Sequence, residues 1–175
     1  MINWKKLNQD IVNSKRIVLS THMSPDGDGL GSASAMHHHI SSLGLECRII
    51  QISKFPDQYN FLNKGNIIET YDATMHDQWL EKADLALIFD VGAYHRLGPL
   101  GDVLSANQIN VINIDHHPDL GDERFGENYI NIHAAATGEM VYDFFEENNI
   151  RMNSEIASGI YTAVMTDTGS FRHSN

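Results

Sequence analysis

Cysteine is almost absent from this chain of 175 residues: Cys47 stands alone. No disulfide can form within the chain, which fits a reducing cytoplasm. Cys47 lies in the apolar stretch 45–52 and reads as a buried structural thiol. No run approaches the roughly 18 apolar residues of a membrane span. The opening MINWKKLNQDIVNSK is polar where a signal peptide would be apolar. A soluble, cytoplasmic protein with no membrane partner is the expectation. Positive charge is also scarce, with 12 Lys and Arg against 23 Asp and Glu and a net charge of −11. So acidic a surface opposes broad binding to long duplex nucleic acid, which needs Lys and Arg against phosphates. A small anionic substrate stays open, because two bound divalent ions would bring the charge to about −7 and invert the local field. Internal repeats, low-complexity tracts and linkers are missing too, and 42% hydrophobic content suits one domain with a real core.

Hydrophobic spacing divides the chain into alternating elements. Trp4, Leu7, Ile11 and Val12 recur at helical intervals over residues 3–14. The short apolar run 17–19 predicts a buried strand, closed by the turn-rich SPDGDG. A helix is predicted over 29–43, with Gly44 as its C′ glycine. A second strand is predicted over 45–52. Phe55, Tyr59, Phe61 and Leu62 predict a helical turn, Ile67 and Ile68 an extended piece, and residues 77–82 a short helix. Apolar strands follow at 85–89 and 111–114, with an edge piece at 129–132. The last helices are predicted over 137–148, capped by Thr137, and over 153–166, with Ile156, Ile160 and Val164 on one face. Short strands, apolar on both faces and separated by helices, predict an α/β fold: an open, mainly parallel sheet with helices on both faces.

Four clusters of Asp and His stand at the ends of these elements, and ligands of open α/β sheets bind outside the carboxyl ends of the strands. The first offers His22, Asp26 and Asp28 around a Pro-Asp-Gly turn. Pro25 and Gly27 let the backbone double back, so the two carboxylates can face different metals. Its plainer reading is a solvated turn opening a helix, with Asp28 near the N-cap. Asp90 is the single carboxylate at the end of an apolar strand. It can place one oxygen on each of two metals about 3.5–4 Å apart, or simply cap the next turn. His95 and Arg96 beside it read as surface groups. Asp115-His116-His117 is the most specific feature. Adjacent residues after a strand point different ways, so one imidazole can ligate metal while the other faces substrate, and Asp115 can fix a ring tautomer. Asp167-Thr168-Gly169 completes the set. At pH 7 carboxylates are ionised and imidazoles mostly neutral, the states that ligate, and the mixture suits a pair of divalent metals.

Other groups carry plainer readings. Thr137-Gly138-Glu139 could turn a helix N-terminus toward the site. His37, His38 and His39 lie within a predicted helix and read as solvated or partly packed. His76, His133 and His173 carry no metal reading, although His173 could sit near substrate. Gly27, Gly29 and Gly31 invite a dinucleotide-binding reading that fails in detail. Ser32 stands where the third glycine belongs, and no acidic residue ends the second strand. The glycines read instead as points of close backbone approach at a helix N-terminus, which can itself hold phosphate.

Taken together, His22-x-x-x-Asp26-x-Asp28, Asp90, Asp115-His116-His117 and Asp167-Thr168-Gly169-x-Phe171 resemble motifs I to IV of the DHH phosphoesterase superfamily, in order and over essentially the whole chain. SPDGDGLGS, ATGEMVYDF and TDTGSFRHSN look most like its bacterial nanoRNase / 3′-phosphoadenosine 5′-phosphate (pAp) phosphatase branch. The resemblance implies a hydrolase using two divalent ions, manganese first and magnesium or cobalt as alternatives, that cuts short oligoribonucleotides or removes phosphate from pAp. It implies that one metal takes His22, Asp26 and Asp90, and the other Asp28, Asp90, His116 and Asp167. His117 would face the scissile phosphate with Asp115 as its catalytic partner. Ser32, Thr168 and Gly169 are expected at the substrate. Members of this branch usually continue into a second, DHHA1 domain with a glycine-rich His motif that grips substrate. Residues 1–175 lack that motif and are expected to hold the DHH catalytic domain alone. A homodimer is compatible with all of this.

Three rivals remain. An inorganic pyrophosphatase of the same superfamily needs less grip on its substrate, but its motif I usually has Asn where Ser24 stands. A RecJ-like exonuclease would want a basic, aromatic-lined groove, which a charge of −11 opposes. The third is a metal-loaded module that binds nucleotide without turnover.

Overall fold

A computed structural model describes residues 2–173. Helix α1 (Trp4–Asn13) leads into strand β1 (Arg16–Thr21), helix α2 (Gly27–Ser42) and strand β2 (Glu46–Gln51). A 3-10 turn at Asp57–Leu62 precedes β3 (Ile68–Thr70) and α3 (Ala73–Leu80). Then come β4 (Leu85–Phe89), a 3-10 turn at Tyr94–Leu97, α4 (Gly98–Ala106), β5 (Asn110–Asp115), β6 (Glu127–Ile130), α5 (Thr137–Glu147) and α6 (Ser154–Asp167).

The six strands form one sheet in the order β3-β2-β1-β4-β5-β6, and each pairing is parallel. Side chains alternate across it with the period of two that a strand imposes. Ile17, Leu19, Leu85, Leu87, Phe89, Ile112 and Ile114 enter a core shared with α1, α2, α5 and α6. Val18, Ala86, Ile88 and Val111 enter a second core on the opposite face, with Leu80 of α3 and Leu100 and Leu104 of α4. Both faces are thus covered, as an all-parallel sheet requires.

The strand order reverses at β1, whose neighbours are β2 and β4. A crevice opens outside the carboxyl ends of strands at such a switch point. Two helices border it closely. A Cβ at Gly29 would collide with the Thr21 hydroxyl, and Cβ atoms at Gly31 and Gly159 would each collide with the other's carbonyl oxygen. Glycine therefore sets the depth at which α2 meets β1 and α6. That contact draws the start of α2 and the end of α6 to one place.

Several boundaries differ from the sequence reading, each for a local reason. Helix α2 begins two residues earlier than predicted because Asp26, not Asp28, is its N-cap, accepting from the N–H groups of Asp28 (3.0 Å) and Gly29 (3.2 Å). Gly44 does follow the helix with φ of 78°. Helix α3 lies over Ala73–Leu80 rather than 77–82, because Asp72 caps it through Thr74 N–H at 2.8 Å. Helix α4 went unread behind Gly98, Pro99 and Gly101. Proline is at home in a first turn, and a Cβ at Gly101 would press on the Tyr94 ring at 3.0 Å. Thr137 does not cap α5; Ala136 holds that position, and Thr137 opens the helix.

Candidate metal centre

Asp90 follows β4 with φ of 61°, the left-handed region that Asp tolerates better than most residues. The bend turns its carboxylate across the switch point. Its Oδ2 stands 3.3 Å from His22 Nε2, which is 3.6 Å from Asp26 Oδ2. Its other oxygen, Oδ1, stands 3.7 Å from His116 Nε2. The same His116 nitrogen lies 3.7 Å from Asp28 Oδ2 and 3.6 Å from Asp167 Oδ2. Two donor sets therefore share one carboxylate, with one oxygen facing each. Donors about 2.1 Å from an ion and at right angles stand about 3 Å apart, so both sets are slightly wider than a filled site.

Backbone groups aim the imidazoles of His22 and His116. The Nδ1 of His22 lies 2.8 Å from the Met23 carbonyl, and that of His116 lies 3.2 Å from the Ala134 carbonyl. A proton on each Nδ1 donates outward and leaves the Nε2 lone pair facing the carboxylates. His117 is arranged the other way. Its Nδ1 lies 2.8 Å from Asp115 Oδ1 and 3.4 Å from Asp90 Oδ1, and its side chain is 50% exposed. Asp115 also accepts from the His117 N–H at 3.0 Å. The ring is thus fixed from behind, with Nε2 toward solvent.

Asp28 is buried, and its carboxylate accepts from the first N–H groups of α5, Thr137 at 2.8 Å and Gly138 at 2.9 Å. Free N–H groups and the positive end of the helix dipole both favour the anion there. Sequence reading placed this helix start at the site but missed Asp28 as its occupant. No local signal could have joined residues so far apart in the chain.

The electrostatics show a cluster short of positive charge. Burial, then the nearby Asp90 charge, hold the Asp28 carboxyl well above the usual range, against the two backbone donors. Asp167 is raised by burial and by Asp90 and Asp26, although His116 opposes this. His22 is raised to about 10: burial works against its charge, but Asp26 and Asp90 outweigh it. His117 is raised to about 10 by Asp115 and then Asp90. Protons on imidazoles thus balance part of the negative charge. Asp90 Oδ1 and His116 Nε2 are buried without a hydrogen-bond partner, although polar atoms so placed are nearly always satisfied. Carboxylate and imidazole donors that converge on such orphaned atoms fit divalent cations.

The remaining candidates separate. Ser32 is fully buried inside α2 and offers no surface to a ligand. Thr168 is buried, its hydroxyl donating to the Val164 carbonyl at 2.7 Å and accepting from Phe171 N–H at 3.0 Å. Gly169 has φ of 56° and lies under the His173 ring. His95 and His133 are exposed and Arg96 half-buried. His76 is buried between Asp72 and Glu69. His37 and His38 are half-buried, but His39 departs from the solvated reading and is buried against Phe144 and Phe145. Cys47 packs partly buried against the core, and burial pushes its thiol pKa up.

The molecule is thus a parallel α/β domain with an acid-and-imidazole centre at its switch point. The chain belongs to the DHH family, whose N-terminal domain matches residues 16–165. It is 31% identical to the bifunctional oligoribonuclease and PAP phosphatase NrnA of Thermus thermophilus, over 91% of this chain and 45% of that protein. An exopolyphosphatase-related protein of Bacteroides fragilis superposes with a TM-score of 0.90 at 26% identity, covering 97% of this chain and 51% of the other. Exonuclease RecJ bound to manganese shares the fold, with a TM-score of 0.58 at 14% identity over 98% of this chain and 44% of the other. The chain spans about half the length of the curated relatives it matches. No helix among the described residues is long and apolar enough to cross a membrane.

Proposed function

We propose that residues 1–175 form the catalytic domain of a metal-dependent phosphoesterase that hydrolyses short oligoribonucleotides and pAp in the cytoplasm. The observation that carries this reading is the division of Asp90, with one oxygen toward His22 and Asp26 and the other toward His116, Asp28 and Asp167. His22, Asp26 and Asp90 would hold one divalent cation, and Asp28, Asp90, His116 and Asp167 a second. Bound there, two such ions, manganese by preference, would supply Lewis acidity and a water whose pKa is lowered to about 7.

The chain's own groups do the rest. Met23 and Ala134 carbonyls hold His22 and His116 in the ligating tautomer. The α5 N-terminus keeps Asp28 aimed inward. Asp115 fixes His117 with Nε2 facing outward, so a protonated His117 donates to a phosphoryl oxygen as charge develops on it.

Release of mononucleotide or phosphate from the dinucleotide pApA, pAp and pyrophosphate, with and without manganese, tests the reading. Manganese-dependent cleavage of pApA or pAp is expected. Cleavage of pyrophosphate alone would replace it with the pyrophosphatase reading. Nucleotide binding without turnover in the full-length protein would leave only the binding module.

A further inference from the structure

Motif IV leads into an unusual stretch of backbone. Gly169, Ser170 and Phe171 all have positive φ, at 56°, 62° and 62°. Glycine adopts that conformation freely, but two non-glycine residues in succession, one of them aromatic, are outliers. Such conformations persist only where surrounding bonds enforce them, and they cluster at ligand clamps and active sites. The enforcing bonds are present. Ser170 N–H donates to the Met165 carbonyl at 2.7 Å, and Arg172 and His173 N–H groups both donate to the Thr168 carbonyl, at 2.9 and 3.0 Å. Phe171 N–H donates to the Thr168 hydroxyl, which is itself tied to Val164. The turn begins two residues after Asp167, a donor of the second set.

What the turn presents is an aromatic ring and a cation. Phe171 is 63% exposed despite the cost of exposing a phenyl ring. Phe171 also lines an apolar groove of about 440 Å³ along α5 and α6, with Glu139, Tyr142, Tyr161 and Val164. Arg172 is exposed, and no carboxylate pairs with it among the described residues. An exposed ring next in sequence to an exposed guanidinium fits the two chemistries of a nucleotide, since bases stack on aromatic faces and Arg pairs with phosphate.

We infer that this left-handed turn is a nucleotide-binding element of the centre. Phe171 stacks on the base of the nucleotide being processed, and Arg172 pairs with the phosphate that is not cleaved. Thr168 and Gly169 then act as the turn's supports, and contact with substrate passes to the next residues. The inference rests on the phosphoesterase reading and adds the residues that would hold the base and the uncleaved phosphate.

The test compares wild-type protein with Phe171→Leu, Arg172→Gln and Arg172→Lys. For each, binding and turnover of pAp and of base-free pyrophosphate are measured in manganese, with manganese affinity and Tm as controls. Phe171→Leu should weaken pAp binding about tenfold, by loss of a stacking face, and leave pyrophosphate unchanged. Arg172→Gln should raise KM for pAp more than it lowers kcat, with Arg172→Lys recovering part of the loss. Manganese affinity and Tm should hold in all three. Variants that bind pAp as wild type does would overturn the inference and leave the phosphoesterase reading standing. Equal losses on both ligands for Phe171→Leu, or lost manganese, would make the turn structural and overturn it also. Wild-type protein that neither binds nor cleaves pAp would bring down the reading itself, and the inference with it.

Discussion

The two ends of one parallel sheet are charged in opposite styles. Toward the amino ends of the strands, Asp84, Arg16, Glu46 and Arg48 each have a partner among the described residues. Asp84 accepts from the N–H groups of Lys15 (2.9 Å) and Arg16 (3.0 Å). Arg16 Nε meets Glu46 Oε2 at 2.6 Å, and its guanidinium lies 5.1 Å from the centre of the Trp79 ring. Arg48 adds a pair with Glu69 at 3.7 Å. At the carboxyl ends, Asp26, Asp28, Asp90 and Asp167 gather around the imidazoles of His22 and His116. Like charges this close raise one another's energy unless a cation or a proton intervenes. The charges named at the amino end offset one another; those at the carboxyl end are mostly of one sign, and the proposed cations would offset them. That difference, more than the number of acidic residues, marks the functional end.

The strongest way to break the contrast is at the shared carboxylate. Asp90→Asn keeps the shape and removes the charge that serves both sets. Manganese-dependent turnover should fall on the order of 10³-fold or more, with bound manganese reduced on a metal-content assay. Wild-type turnover in this variant would sink the two-set arrangement. His117→Ala should cost less, about 10²-fold, and should keep its manganese, because His117 Nδ1 is committed to Asp115. Loss of metal in His117→Ala would move that residue into the ligand set.

Protonation gives a third test, smaller in effect and definite in sign. His22 has its pKa raised to about 10 when no cation is bound, so at pH 7 it carries a proton that a metal must displace. Manganese binding should therefore release protons at neutral pH and tighten as pH rises toward 10. The check is the binding enthalpy in two buffers of different ionisation heat; identical enthalpies would remove His22 from the ligands. Stability of the metal-free protein follows the opposite course. A raised imidazole pKa contributes stability fully present below about pH 6.5 and lost as pH rises through 10. Asp28, also raised, has the same sign. The metal-free Tm should fall from pH 6.5 toward 10, and added manganese should restore most on the alkaline side.

Much of this contrast was legible before the fold. Apolar runs before Asp90 and Asp115 read as buried strands of a parallel sheet, and residues that follow such strands must emerge at their carboxyl ends. What remained hidden depended on partners distant in sequence. Nothing near Asp28 announces the N–H groups of Thr137 and Gly138, and nothing near His116 announces the Ala134 carbonyl. Helix α4 drew no reading, since glycine and proline are poor helix formers in general and only their positions, in a first turn and against Tyr94, suit them to this one. Ser32 is expected at the substrate from the resemblance, and burial of α2 on nearly every side removes it. Tertiary packing overrides local patterns most at helix starts, where a single cap residue shifts the boundary.

The smallest expected effect lies at the amino end, and its smallness is the point. Glu46→Gln removes the carboxylate that faces Arg16. Glu46 is exposed, and surface pairs of this kind contribute little because water screens them and ordering two side chains costs entropy. Arg16 also keeps its contact with the Trp79 ring and its bond to the Trp79 carbonyl at 3.1 Å. A Tm within about 2 °C of wild type is expected, with manganese affinity and turnover unaltered. If Glu46→Gln instead changed metal binding as Asp90→Asn does, charge would be coupled across the length of the sheet. The two ends could then no longer be treated as separate.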